Sequence, residues 1–361
     1  MNEVGVALLI VAALFTVSGS AAAQAETQVI SLTDALERSP DLNAEVILAQ
    51  ADLAAAEREL RRTEGDPLAL RLPLLEARQR VASERTDLTS ARLEAEQAAS
   101  SRFFGALEAD DALDLARTRR DIAEVTVQAA QIRFDSGQIG QLELTRVNND
   151  LEAAEREVAS AEQRRTLAYG EVASVLGLEV EGLQLLAPFA PPQIPELDKV
   201  LGRLGENTLL QRAAQTVALA RLRLELSDAS YSPQRDIEMA EDALASAETQ
   251  RRELRRSLDL SVRGAYNAAL AARDAFQNAQ VALQSAEDEF AAQRLRFDAG
   301  EVSRLALAEG ERNVAERAAN LRSAQYALSR TVTQLDLAVR GAQSTGSIDM
   351  GSEVEGEDES Q

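Results

Sequence analysis

The chain has no cysteine, no histidine and no tryptophan. Without thiol or imidazole there is no disulfide framework, no zinc–thiolate site, no lipidated cysteine and no cysteine or histidine catalysis. Aromatic residues make up only 3% of 361 positions, too few for the bulky core of a large globular domain. Lys199 is the sole lysine, so positive charge is carried by arginine. A Ser/Lys enzyme would need that one lysine, which sits by an inter-repeat linker, and no enzymatic activity is expected. The net charge of −22 excludes the basic face that nucleic-acid binding requires. Carboxylates alone can hold a hard cation, but no glycine-bearing acidic loop of the calcium-binding kind occurs, and neither metal nor cofactor is expected.

What remains is a helix-forming composition. The apolar positions are mostly Ala, Leu and Val, and the polar ones Arg, Glu and Gln, as in long helices packed through small side chains. Val4–Val17 is apolar apart from Gly5 and Thr16, and an Ala-rich stretch follows with small-x-small sites at Ala21–Ala23 and Ala23–Ala25. Residues 1–25 therefore read as a secretory signal peptide, although Glu3 stands where a basic start is usual. The alternative, an uncleaved anchor, is disfavoured because the run falls short of the ~20 residues that span a bilayer. At the other end, residues 343–361 carry Asp349, Glu353, Glu355, Glu357, Asp358 and Glu359 among Gly and Ser, an acidic tail expected to be disordered.

The middle repeats itself. Arg133-Phe134-Asp135-Ser136-Gly137-Gln138-Ile139 returns 163 residues later as Arg296-Phe297-Asp298-Ala299-Gly300-Glu301-Val302. The same offset pairs Leu142 with Leu305, Phe103 with Tyr266 and Leu107 with Leu270. Each copy reads as helix, tight turn, helix, with Gly137 or Gly300 as the C-cap. After each turn comes a stripe spaced alternately three and four, the period of a left-handed coiled coil. In copy one it runs Leu144, Val147, Leu151, Ala154, Val158, Ala161, Arg165, Ala168, Val172, Val175. In copy two it runs Leu307, Gly310, Val314, Arg317, Leu321, Ala324, Leu328, Thr331, Leu335, Ala338. The helices before the turns are predicted from about Leu74 to Phe134 and Arg235 to Phe297, rods of about 90 Å. Shorter helices precede each: one near Leu32–Glu37 capped by Ser31, a break at Ser39-Pro40, then Asp41–Arg62; and one near Glu196–Leu204, a break at Gly205–Asn207, then Thr208–Leu226. The division is thus a first repeat over 26–176, a Pro-rich linker over 177–195 expected to pack around the waist of the rods, and a second repeat over 196–342. Rods this long expose apolar edges, so self-association is expected.

This ordered set resembles the TolC-like outer-membrane efflux family: two tandem repeats, the Arg-Phe-x-x-Gly turns at Arg133–Gly137 and Arg296–Gly300, the close of the first ascending helix at Val175-Leu176-Gly177-Leu178, and the opening at Leu36-x-x-Ser-Pro-x-Leu42. The resemblance covers nearly all of residues 30–340. It implies three subunits forming a hollow helical barrel in the periplasm, associated with the outer membrane, with a hairpin-bearing adaptor and an inner-membrane pump at the lower end. It also implies a twelve-stranded β-barrel above, four strands per subunit. Here the chain departs from the family. Thr63–Pro73 and Ser227–Pro233 stand where those strands belong, and a transmembrane hairpin needs two strands of ~9–11 residues each. The expected fold is therefore all-α: two tandem antiparallel coiled-coil hairpins, a TolC-like α-barrel protomer without the transmembrane β-barrel.

The resemblance implies that the tips face an adaptor: Phe134, Gly137, Gln138, Ile139 and Leu142 in one copy; Phe297, Gly300, Glu301, Val302 and Leu305 in the other. Packing for the two Phe and a solvated turn for the rest are the plainer readings. It likewise implies an entrance gate at Glu143, Arg304 and Glu309, against a solvated helix face. The expected function is a conduit component of an efflux or secretion assembly that is not itself an outer-membrane pore, possessing a separate outer-membrane or envelope partner. The alternative is a structural spacer of the cell envelope. An adaptor role is disfavoured because no lipoyl-like β domain flanks the hairpins.

Overall fold

The computed structural model describes residues 28–67, 71–187, 190–227 and 233–342; the signal-peptide and acidic-tail readings lie outside them. A short strand β1 (Gln28–Ser31) leads into α1 (Leu32–Leu42), α2 (Ala44–Gly65), the long α3 (Arg71–Asp135) and α4 (Gln141–Leu176). The second half follows with β2 (Leu183–Leu186), α5 (Leu197–Gly202), a 3₁₀ turn at Arg203–Glu206, α6 (Thr208–Ser227), α7 (Gln234–Asp298) and α8 (Arg304–Arg340). Both α3 and α7 have 65 residues, which corresponds to roughly 98 Å.

Copy one's stripe is the buried seam of α4. Leu144, Val158, Ala161 and Val172 are buried, and the remaining six are half-buried. In α8 the copy-two stripe is likewise buried or half-buried except at Arg317, which is exposed. Gly310 interrupts that stripe for a reason of space: a Cβ there would come within 3.0 Å of the Phe290 ring of α7. The helix α8 carries a second covered stripe, at Ala308, Ala315, Ala319, Arg322, Tyr326, Ser329 and Thr333. The helix packs on both α7 and α3: Leu335 of the apolar stripe clusters with Val262 of α7, and Arg322 and Tyr326 of the second stripe meet Asp111 and Phe104 of α3. Four ion pairs cross the α3–α8 seam: Arg119–Glu316, Asp111–Arg322, Glu108–Arg330 and Glu96–Arg340. The two hairpins thus join through a seam rich in ion pairs, with Tyr326 of α8 packed on Phe104 of α3 within it.

The break between α1 and α2 differs from expectation. The helix α1 runs through Ser39-Pro40 to Leu42, and the chain turns at Asn43. Proline removes a single N–H near the end of the helix, and both Ser39 and Pro40 are buried, with Ser39 Oγ donating to Ala95 O at 3.4 Å. Asn43 caps α2 through Oδ1, which accepts from the amides of Glu45 (2.9 Å) and Val46 (3.3 Å). The Ser31–Asp34 capping box forms as expected.

The linker does pack at the waist, and it does so as a strand. β1 and β2 pair in parallel, Gln28 opposite Leu183 through Ser31 opposite Leu186. Ile30 and Leu183 enter a cluster around Phe103 and Phe104 of α3, with Tyr169 and Val172 of α4 and Tyr326 of α8. These two four-residue strands are the only ones among the described residues. The upper links hold no more than residues 66–70 and 228–233 between helices, so neither leaves length for a transmembrane hairpin. No helix among the described residues is long and apolar enough to cross a membrane.

Gly341 ends α8 at φ 105°, with its carbonyl accepting from Thr208 Oγ1 at 3.4 Å. A Cβ there would meet the Thr208 amide nitrogen at 2.8 Å. Gly341→Ala is therefore expected to cost about 1–2 kcal/mol from the left-handed backbone alone, with the clash added. Chemical denaturation at fixed protein concentration measures it.

Candidate functional site: hairpin tips and open flanks

The two tips close with the same hydrogen bonds. In copy one the Gly137 amide donates to Phe134 O (2.9 Å) and the Gln138 amide to Arg133 O (2.8 Å). In copy two the Gly300 amide donates to Phe297 O (2.8 Å) and the Glu301 amide to Arg296 O (2.9 Å). This is the Schellman closure, and it needs a residue in the left-handed region; Gly137 has φ 74° and Gly300 φ 76°. Phe134 and Phe297 are half-buried behind the turns, as are Ile139, Val302 and Leu305, whereas Gln138 and Glu301 are exposed. The tips differ in charge: Arg296 Nε and Glu301 Oε2 lie 3.3 Å apart, and the equivalent Arg133 and Gln138 bear no such pair. Beside the first tip, Leu142 is 85% exposed and Ile132 70%.

Glu143, Arg304 and Glu309 are all exposed. The chain does not pair them with one another, and among the described residues none of the three has an ion-pair partner.

The sequence reading expected apolar edges on the rods but named no residues for them. The long helices lie side by side in the order α4, α3, α8, α7, so α4 and α7 each have one long neighbour. The buried seam of α7 runs Val262, Ala265, Ala269, Ala272, Phe276, Ala279, Leu283, Ala286, Phe290, alternating four and three. Met239, Leu260, Val281 and Leu295 fall at the heptad position opposite that seam. They are exposed by 60%, 70%, 68% and 71%. They form an interrupted apolar row on the outer edge of a 65-residue helix, with Ser246, Glu253, Asn267, Asp274 and Asp288 at the same heptad position between them. The period of the exposed residues, once the buried seam is known, is the signal that finds them.

At the waist, adjacent aspartates of α3 reach in opposite directions. Asp110 accepts from Arg165 and from the Tyr169 hydroxyl of α4, and Asp111 accepts from Arg322 of α8 beside Tyr326. Burial pushes the Tyr169 hydroxyl up to about 12, helped by the Asp110 carboxylate, and burial together with the Asp111 carboxylate raises Tyr326. Desolvation also raises Asp111 above its ordinary 3.8, against the pull of Arg322. A tyrosine raised in the folded state stabilises fully below its unfolded pKa of about 10 and loses that contribution as pH rises through the folded value. Spectrophotometric titration should show tyrosinate absorbance delayed toward pH 12 in the folded protein, and stability falling between about 10 and 12. Tyr169→Phe should remove part of both effects.

No family model matches the chain, and no curated protein does either. Solved structures do. The Campylobacter jejuni outer-membrane channel CmeC superposes with a TM-score of 0.64 at 14% identity, over 88% of this chain and 87% of its own. The channel-forming protein CusC gives 0.66 at 13%, over 86% and 92%. The outer-membrane protein VceC of Vibrio cholerae gives 0.60 at 15%, over 86% and 96%. The fold is TolC-like. At these identities the likeness is one of fold. These structural neighbours are channel proteins rather than enzymes.

Proposed function

We propose that the chain is one of three subunits of a closed helical conduit in the periplasm, part of an efflux or secretion assembly, that is not itself an outer-membrane pore. The apolar row on α7 carries this reading. Rotating copies about one axis would set α7 of one subunit against the α2 and α4 side of the next, a head-to-tail contact that closes when the rotation does. Residues 1–25 direct export, 26–176 and 196–342 form the paired repeats, 177–195 belts the waist, and the segment after 342 is a separate acidic tail. The likeness to outer-membrane channels supports placement in the envelope, associated with the outer membrane. The short links at 66–70 and 228–233 support the need for a separate outer-membrane or envelope protein above. The same links favour a second reading, a spacer of the envelope without transport.

The tips would then meet a hairpin adaptor through Gln138, Ile139, Leu142, Glu301, Val302 and Leu305, with an inner-membrane pump beyond. Glu143, Arg304 and Glu309 would pair across subunits to narrow the entrance. The chain has no cysteine, so a single introduced thiol is unique. Thiol-directed photocrosslinking in cells from Gln138→Cys and Glu301→Cys should capture an adaptor, and the same probe at Glu64→Cys, near the upper links, should not. Equal capture from all three positions, or none from the tips, contradicts the conduit reading; none with envelope spacing altered on deletion favours the spacer.

A further inference from the structure

One basic feature stands out in this acidic chain, and the conduit does not use it. Arg251, Arg252, Arg255 and Arg256 fall within two turns of α7. Arg251 and Arg255 continue the register of the buried seam through Leu258 and Val262, where a coiled coil calls for apolar side chains. Here the seam is open. A groove of about 430 Å³ separates Gly205, Leu210 and Gln211 from Arg251, Arg252 and Arg255.

The surrounding carboxylates are engaged elsewhere. Glu206 pairs with Arg203 at 3.2 Å, Glu248 with Arg221 at 3.2 Å, Glu253 with Arg256 at 2.7 Å and Asp259 with Arg263 at 2.7 Å. Among the described residues Arg251 and Arg255 have no ion-pair partner, and Arg252 donates only to Thr249 Oγ1 at 3.0 Å. Three arginines line the groove, and the carboxylates that flank them are paired with other arginines.

The C-terminal end of α8 is fixed beside it. Asn207 Nδ2 donates to Ala338 O and Val339 O, each at 3.2 Å, and Thr208 Oγ1 to Gly341 O. The groove residue Gln211 lies three positions along α6 from Thr208, a rise of about 4.5 Å. The described chain therefore ends at Ala342 near the groove, and the 19 residues from 343 to 361 carry six acidic side chains and no basic one. From Ala342 to Gly356 the chain can reach up to about 46 Å when extended.

We propose that the acidic segment Asp349–Glu359 docks on Arg251, Arg252 and Arg255 of its own chain. Charge complementarity, the point where the described chain ends, and the spent local acids select this occupant. The inference concerns one chain and holds whether or not the ring forms.

The test is intrachain disulfide formation in the full-length mature protein under mild oxidation. Gln211→Cys with Gly356→Cys keeps every arginine and every carboxylate. Ala218→Cys with Gly356→Cys is the control, an exposed site on α6 two turns beyond Gln211 and outside the groove. The first pair should close about tenfold faster, the ratio expected from a few exposed ion pairs, and the ratio should fall toward one at 1 M salt. Replacing Arg251, Arg252 and Arg255 by Gln should abolish the difference; circular dichroism of that variant confirms that these exposed positions leave the helices intact. Equal rates at the two sites, a ratio indifferent to the arginines, or linkage between chains rather than within one overturns the proposal.

Discussion

Leu260→Asp combined with Val281→Asp should disperse the assembled protein into single chains while leaving its helices intact. Both side chains are about 70% exposed in the protomer, so the protomer itself loses little packing. In a ring each would be buried against the next subunit. An uncompensated charge there costs roughly 3 kcal/mol or more, which weakens each contact by over about a hundredfold. Sedimentation velocity reads the dispersal and far-ultraviolet circular dichroism the retained helix. A variant that sediments like the parent would show that the α7 row is not an interface.

Phe104→Ala should cause the largest loss of stability of any single truncation in the described residues. Phe104 is fully buried at the midpoint of α3. Its ring lies edge-on to Phe103 at 6.0 Å, 6.3 Å from the Tyr326 ring and 5.7 Å beneath the Arg330 guanidinium. The cluster around it joins α3, α4 and α8 to the strand pair. A buried Phe→Ala typically costs about 3–5 kcal/mol, because a cavity is left as well as lost transfer energy. The half-buried Phe297, behind the second tip, should cost less. Urea midpoints at one fixed protein concentration, needed because assembly stabilises the fold, give the comparison. A Phe104→Ala loss no larger than that of Phe297→Ala would mean that the waist is not the core.

The parts legible in the sequence were those written in apolar period. The α4 stripe from Leu144 to Val175 appears in the structure residue for residue, and so do the two Gly caps, because both depend on local chemistry. The second stripe of α8 was not legible. Its members include Arg322, Ser329 and Thr333, and polar side chains covered by ion pairs to α3 look like a solvated face when the partner helix is unknown. The strand pair was missed because each strand has four residues and its partner lies far along the chain. The Asn43 cap was read too early, at Pro40, since proline near a helix end interrupts less than proline inside one. Of the site residues, the tips could be placed from sequence, whereas Glu143, Arg304 and Glu309 have no ion-pair partner among the described residues. The α7 row needs the buried seam as its reference before its period means anything.

The central claim is that these rods, the outer two of which have a long neighbour on one side only, close side by side into a hollow ring. Electron microscopy of the purified mature protein, at concentrations where sedimentation shows one species, tests it most directly. The account predicts three-fold particles about 100 Å long with a central lumen. Solitary rods that persist at micromolar concentration would contradict it.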